Sequence, residues 1–166
     1  MAVLETERLL LREITLQDVD TLFEIFSDAE TMRFYPSSFD RPMTHTWVER
    51  NIQRHAEYGF GLWGLILKAS GKLIGYCGLI LQTVDGVEEV EIGYIVRRDL
   101  WGKGFATEAA QACRNYGFQQ LTCDRLIALI NPANTASRRV AEKNGMQLVK
   151  ETIWRDKAVC VYAIER

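Results

Sequence analysis

Glu91 and the pair Gly102 and Gly104 lie close together in the sequence, and their types point to two kinds of chemistry. A carboxylate can take a proton from a reacting group. A Gly-x-Gly turn that runs into a helix offers bare main-chain N–H groups and the positive end of the helix dipole, which together suit an anion such as a diphosphate. The run reads Glu91-Ile-Gly-Tyr-Ile-Val-Arg-Arg-Asp-Leu-Trp-Gly-Lys-Gly-Phe-Ala-Thr-Glu-Ala109. Its candidate cradle is Gly102, Lys103, Gly104, Phe105, Ala106 and Thr107. Lys103, Arg97 and Arg98 either add charge to such a site or are solvated loop residues. Taken bare, the glycine spacing also fits a plain structural turn. It is not a P-loop, since no Gly-Lys-Ser/Thr follows, nor a dinucleotide fingerprint, since a third glycine is missing.

These residues need a strand, a turn and a helix to place them. Val90 to Val96 alternates as a strand, with Ile92, Tyr94 and Val96 on one side and Glu91, Gly93 and Ile95 on the other. Gly93 weakens that strand and is the expected place for a bulge. Upstream, Leu4 to Glu13 reads as one strand, and Thr15 to Asp18 has the form of a capping box before a helix carrying Leu16, Val19, Leu22, Phe23 and Phe26. Ser27 to Met43 reads as irregular, with exposed aromatics Phe34, Tyr35 and Phe39. Thr44 to Tyr58 reads as a helix burying Trp47, Val48, Ile52 and Ala56, with His45 and His55 flanking that stripe. Hairpin turns at Ala69–Lys72 and Thr83–Val87 join three antiparallel strands that end in the one carrying Glu91. After the loop, a helix from Phe105 to about Leu121 buries small residues. Arg125 to Ile130 reads as a parallel strand covered by helices on both faces. Asn134 caps a helix to Lys143 that Gly145 stops, and Met146 to Thr152 and Val159 to Glu165 close the fold.

The 166 residues, 48% of them hydrophobic, suit one compact domain over 1–166. Twenty-two acidic and 20 basic side chains are well mixed, for a net charge of −2, which disfavours nucleic acid and anionic membranes as partners. No apolar run reaches membrane-spanning length and the N-terminus lacks a signal-peptide core, so the expected location is cytoplasmic. Cys77, Cys113, Cys123 and Cys160 show no C-x-x-C spacing and read as reduced packing thiols, with no metal site expected.

Trp101-Gly-Lys-Gly-Phe-Ala106 resembles the acyl-CoA loop of the GNAT N-acetyltransferases, Gln/Arg-x-x-Gly-x-Gly/Ala, departing from it by the leading Trp. The longer run Leu100 to Ala109 and the opening Glu5-Thr-Glu-Arg-Leu-Leu-Leu-Arg12 resemble the RimJ/RimL branch, and the likeness spans almost the whole chain. The resemblance implies a mixed α/β sheet of about seven strands, splayed between the fourth and fifth and flanked by about four helices. It implies acetyl-CoA as cosubstrate. The pantetheine arm would lie in the splay on main-chain groups of Tyr94, Ile95 and Val96, and an N–H near Tyr94 or Ile95 would polarise the thioester oxygen. Glu91 matches the glutamate that serves some of these enzymes as base, although Glu89 and Glu91 also fit a wet strand face. Asn134 matches a cofactor-contacting asparagine. The tyrosine that many members use to protonate the departing thiolate is replaced by Ala141, and Ser137, one turn past Asn134, is the substitute; Tyr94 and Tyr116 are spare donors. The branch points to an N-terminal amine of a ribosomal-type protein. That acceptor needs about 1.4 kcal/mol to be neutral at pH 7, against about 4.6 kcal/mol for a lysine, so a modest base suffices. A small amine or antibiotic as acceptor, or a CoA-binding regulatory module without turnover, are the alternatives, and a homodimer is allowed but has no interface legible in the sequence.

Overall fold

A computed structural model describes residues 2–166, and the side chain of Ala2 is left aside. The strands are β1 Ala2–Glu5, β2 Leu9–Glu13, β3 Leu62–Leu67, β4 Lys72–Val84, β5 Val87–Val96, β6 Arg125–Ile130, β7 Gln147–Trp154 and β8 Lys157–Glu165. The helices are α1 Val19–Phe26, α2 Arg41–Tyr58, α3 Phe105–Gln119 and α4 Thr135–Lys143. They build one sheet in the order β1-β2-β3-β4-β5-β6-β8-β7, antiparallel except between β5 and β6.

The eighth strand arises because Leu4–Glu13 is not continuous. Thr6 N–H donates to Leu9 O at 2.9 Å, and the Thr6 hydroxyl accepts from Leu9 N–H at 3.0 Å, which folds the segment into a hairpin. The splay therefore falls between the fifth and sixth strands, although they are the two strands expected. Gly93 carries no bulge: β4 and β5 pair in unbroken register from Gly75↔Val96 to Val84↔Val87, with Gly93 opposite Gly78. The irregularity lies one strand away, between Leu65 and Ile66 of β3, where Gly75 stands at φ 156° and a Cβ would sit 2.0 Å from Ile95 O.

Two apolar layers flank the sheet. On one face Leu9, Leu65, Cys77, Leu79, Ile92 and Leu126 pack beneath α3 and α4. Gly117 lets α3 approach, since a Cβ there would lie 3.0 Å from Leu126 Cδ1. On the other face Leu62, Tyr76 and Ile95 pack beneath α1 and α2. Helix α2 starts three residues before Thr44, because Asp40 accepts from Met43 N–H at 2.8 Å and Pro42 sits in the first turn, where it lacks no needed donor. Its buried stripe is Thr44, Val48 and Asn51 rather than one including Ile52, which is 39% exposed. Asn51 is buried because its amide satisfies both Leu62 N–H and Leu62 O, at 3.1 and 2.8 Å, a pairing a polarity pattern hides. His55 reaches the same carbonyl at 3.0 Å. The second face of β6 also differs from expectation: Ile127 and Leu129 pack with Val84, Val161 and Trp154, side chains of strands and not of a helix.

Candidate active site

Strands β5 and β6 pair in register at Glu91↔Ile127, and no further register pair follows among the described residues. Arg97 N–H donates to Ile74 O, so the alternation of an antiparallel ladder turns Ile95 and Gly93 toward β4, and Tyr94 and Val96 toward the gap. Trp101 Nε1 donates to Val96 O at 2.7 Å, which leaves Tyr94 N–H and C=O and Val96 N–H facing the opening. Ile95, expected in the gap, instead gives its main chain to the sheet and its side chain to the α1/α2 layer.

The same alternation puts the candidate side chains on opposite faces. Glu91 lies with Tyr76, Ile80 and Ile95 on the α1/α2 face, and Tyr94 with Cys77 and Ile92 on the α3/α4 face. A group held in the gap therefore meets a carboxylate from one side of the sheet and hydroxyls from the other.

Beyond the gap, Gly102 and Gly104 take left-handed φ values of 75° and 82°, a conformation costly for other residues. Gly104 is the residue before α3, so the N–H groups of Phe105, Ala106 and Thr107 fall in the unpaired first turn. The loop is braced from β2. Arg8 donates to Lys103 O at 2.8 Å, pairs with Glu108 at 2.6 Å and stacks 4.3 Å from the Phe105 ring, while the Thr6 hydroxyl donates to Glu108 at 2.6 Å. No local pattern revealed this brace, because Arg8 and Glu108 are a hundred positions apart. Arg97 and Arg98 are ion-paired with Asp99 and Asp28 at 2.6 and 3.1 Å, which leaves Lys103 as the loop cation without an ion pair among the described residues.

Glu91 accepts from Gln82 Nε2 at 2.8 Å. Burial dominates that bond and pushes its pKa up to about 7. Its strand neighbour Glu89 is spent on an ion pair with Arg125 at 3.3 Å. On the Glu91 face, Tyr35 Oη lies 3.3 Å from Tyr76 Oη, and burial raises both phenols. Tyr76 is fixed edge-on against Phe26, with ring centroids 6.0 Å apart, and lies 5.0 Å from Trp47. Of the three aromatics read as exposed, Phe39 packs on Phe26 at 5.5 Å, and Tyr35 keeps 40% exposure while sending its hydroxyl inward.

On the other face, Tyr94 Oη donates to Ser137 O at 2.9 Å and lies 3.0 Å from Ser137 Oγ. With the Tyr94 proton on that carbonyl, the Ser137 hydroxyl still has its own proton to place. Burial raises the Tyr94 phenol. Asn134 caps α4 by accepting from Ser137 N–H at 3.2 Å, which holds Ser137 in the first turn. Ala141 is 1% exposed and packs in the core. Two concavities lie elsewhere, one of about 320 Å³ between α1 and Arg97–Asp99 and one of about 380 Å³ between β1 and α3; neither is lined by Glu91. Among the described residues, no group of three or more His, Cys, Asp or Glu gathers as a metal site, and no helix is long and apolar enough to cross a membrane.

A parted parallel strand pair beside a glycine-led helix N-terminus has the main-chain groups that an extended, anion-bearing ligand could use. Residues 8–147 match the Acetyltransferase (GNAT) domain family. The uncharacterized protein YkkB of Bacillus subtilis (strain 168) is 39% identical over 160 residues, covering 96% of this chain and 93% of that protein. The crystal structure of a GNAT-family acetyltransferase from Bacillus anthracis superposes with a TM-score of 0.82 at 30% identity, over 97% of this chain and 96% of the other. RimL, a ribosomal L7/L12 α-N-protein acetyltransferase crystallised with coenzyme A, shares the fold at a TM-score of 0.79 and 16% identity, over 99% and 98% of the two chains. The chain belongs to the GNAT family and is an acetyl-CoA-dependent N-acetyltransferase.

Proposed function

We propose that this single-domain, cytoplasmic enzyme of the RimJ/RimL branch transfers the acetyl group of acetyl-CoA directly to a protein N-terminal amine, of ribosomal-protein type. The observation that carries the reading is Glu91 at the apex of the gap, with a pKa of about 7. Burial raises that carboxyl toward neutrality, which suits it to take a proton from an amine, and an N-terminal amine is the one that costs least to neutralise. The likeness to RimL supports an N-terminal acceptor at the level of the fold.

The residues present fit the cosubstrate: Tyr94 presents unpaired main-chain groups to the gap, and the two left-handed glycines open onto the first turn of α3. Acetyl-CoA, when bound, supplies an acyl carbon activated as a thioester. Gly102 to Thr107 bind the diphosphate with main-chain N–H groups, Lys103 adds charge, and Asn134 orients Ser137. The free N–H groups of Tyr94 and Val96 are the donors for the thioester oxygen. Glu91 takes the amine proton, directly or through a water, and Ser137 Oγ, backed by Tyr94, gives a proton to the leaving sulfur. No step uses a cysteine: Cys77 and Cys113 are fully buried, their sulfurs 3.4 Å apart, and burial raises the Cys113 thiol.

The test is thiol release from acetyl-CoA with N-terminal peptides, polyamines, aminoglycosides and Nε-exposed lysine peptides under identical conditions. Turnover with peptides bearing a free α-amine, and little with the others, is the expected result. Faster turnover of a small amine moves the chain to the small-molecule alternative. Binding of acetyl-CoA without thiol release on any acceptor leaves the regulatory module.

A further inference from the structure

Gly93 stands in the middle of β5, where a glycine is less stable than an alanine, and nothing in the fold itself calls for one there. A glycine inside a strand marks a bulge, a left-handed φ, the close approach of another backbone, or a ligand. The first three fail here. The register with β4 is unbroken through Gly93, and its φ lies outside the left-handed range. A Cβ at Gly93 would meet, beyond its chain neighbours, one atom within 4 Å, Leu62 Cδ2 at an ordinary 3.7 Å. Its partner across the ladder behaves differently: a Cβ at Gly78 would fall 2.1 Å from Gly61 O and 2.6 Å from Leu62 Cα, so the chain entering β3 occupies that place. Of two facing glycines, one is filled by backbone and the other is open and partly exposed.

The opening is well placed. The pairs Glu91↔Ile80 and Ile95↔Tyr76 bracket Gly93↔Gly78, and alternation puts all six residues on the α1/α2 face. A strip of sheet without side chains therefore separates the Glu91 carboxylate from the Tyr76 and Tyr35 hydroxyls, which lie 3.3 Å apart. Leu62 walls the strip, and its position is fixed because the buried Asn51 amide holds both its N–H and its C=O. Tyr94 N–H, which faces the gap, is the next main-chain donor after Gly93. Glu91 lies two residues back, about 6.7 Å along the strand. An amine reaching between that carboxylate and the gap must rest the carbon behind its nitrogen on Gly93.

We propose that Gly93 is the acceptor seat: the carbon bearing the reacting amine lies on the Gly93 main chain with its substituent against Leu62, so that the missing side chain decides how branched an amine is accepted. This rests on the acetyl-transfer reading. The acceptor so selected is an amine on a substituted carbon, as at the head of a peptide that begins with a residue other than glycine. Each methyl of that substituent removed from water should favour binding by about fourfold.

The experiment compares wild type with Gly93→Ala on Gly-Ala-Ala-amide, Ala-Ala-Ala-amide and Leu-Ala-Ala-amide. Thiol release gives kcat/KM, calorimetry with CoA present gives the affinity of the N-acetylated forms, and the thermal midpoint is followed alongside. Wild type should favour the Ala-headed peptide over the Gly-headed one by about fourfold. Gly93→Ala should erase or reverse that order, losing about tenfold or more on the Leu-headed peptide, less on the Ala-headed and least on the Gly-headed. Its thermal midpoint should hold or rise, since alanine suits a strand better and, beyond its chain neighbours, meets no atom closer than 3.7 Å. Equal loss on all three peptides, or none, overturns the proposal even if acetylation proceeds. A lowered midpoint overturns it too, because the protein itself would then be using the space. Graded weakening of the N-acetylated peptides in the variant, with no thiol release on any amine, would sustain the seat and overturn the acetyl-transfer reading instead.

Discussion

The two faces of the parted strands are built from different material. The proposed cofactor side relies on main chain: left-handed glycines, the first turn of α3, and the outward groups of Tyr94 and Val96. The proposed acceptor side relies on side chains gathered from distant segments: Tyr35, Tyr76 of β4, and Glu91 of β5 with its partner Gln82. A backbone site tolerates exchange of most side chains as long as the turn persists, whereas a side-chain site changes its chemistry with each substitution. One face thus keeps a fixed carrier and the other is free to choose an acceptor.

The contrast is broken hardest at Glu91. Glu91→Gln should lower kcat/KM by about a hundredfold or more while leaving acetyl-CoA affinity as it was, since the carboxylate lies off the cofactor face. In wild type the rate should climb as pH rises through about 7, when Glu91 loses its proton, and the variant should lack that limb. A steady-state pH profile beside calorimetric titration with acetyl-CoA checks both.

Gly104→Ala attacks the other face. The left-handed φ of 82° costs a Cβ-bearing residue about 1–2 kcal/mol, and the new carbon would lie 3.3 Å from Arg8 Nη2. Acetyl-CoA should bind about tenfold more weakly, with acceptor preference intact, as competition between two peptides would show.

Arg8→Ala separates brace from cradle. It removes the Glu108 pair and the bond to Lys103 O, so the thermal midpoint should drop by an amount equal to about 1–2 kcal/mol, with a smaller loss of cofactor affinity. Ser137→Ala should reduce kcat more than KM, by less than the Glu91 change, and Tyr94→Phe should reduce it less again if Ser137 is the immediate donor.

A separate effect concerns stability. Glu91 has a folded pKa above its unfolded one, so the folded state binds the extra proton between about pH 4.5 and 7 and stability declines as pH rises through that window. Glu91→Gln should flatten that decline. Chemical denaturation at pH 5 and pH 8 would measure it.

Motif and periodicity alone placed the strand of Glu91, the glycine loop, α3, and the Asn134-capped α4 that ends at Gly145. Each is specified by residues a few positions apart: alternation, left-handed glycines, a side chain closing on its own helix. The hairpin at Thr6 was missed because Glu108, which accepts from Thr6 and from Arg8 N–H, comes from a distant helix. The stripe of α2 was misjudged because the buried Asn51 is paid for by a strand it precedes. Ile95 was assigned to the gap because the parity of an antiparallel ladder is set by the partner strand.

What the chain's order of residues determined by itself was therefore the family, the glycine turn and the helix caps, since turns and caps are short-range. Tertiary packing alone decided that Glu91 is desolvated and that Tyr76 meets Tyr35. Those depend on which surfaces are brought together and how much water they exclude, quantities that no spacing along the chain contains.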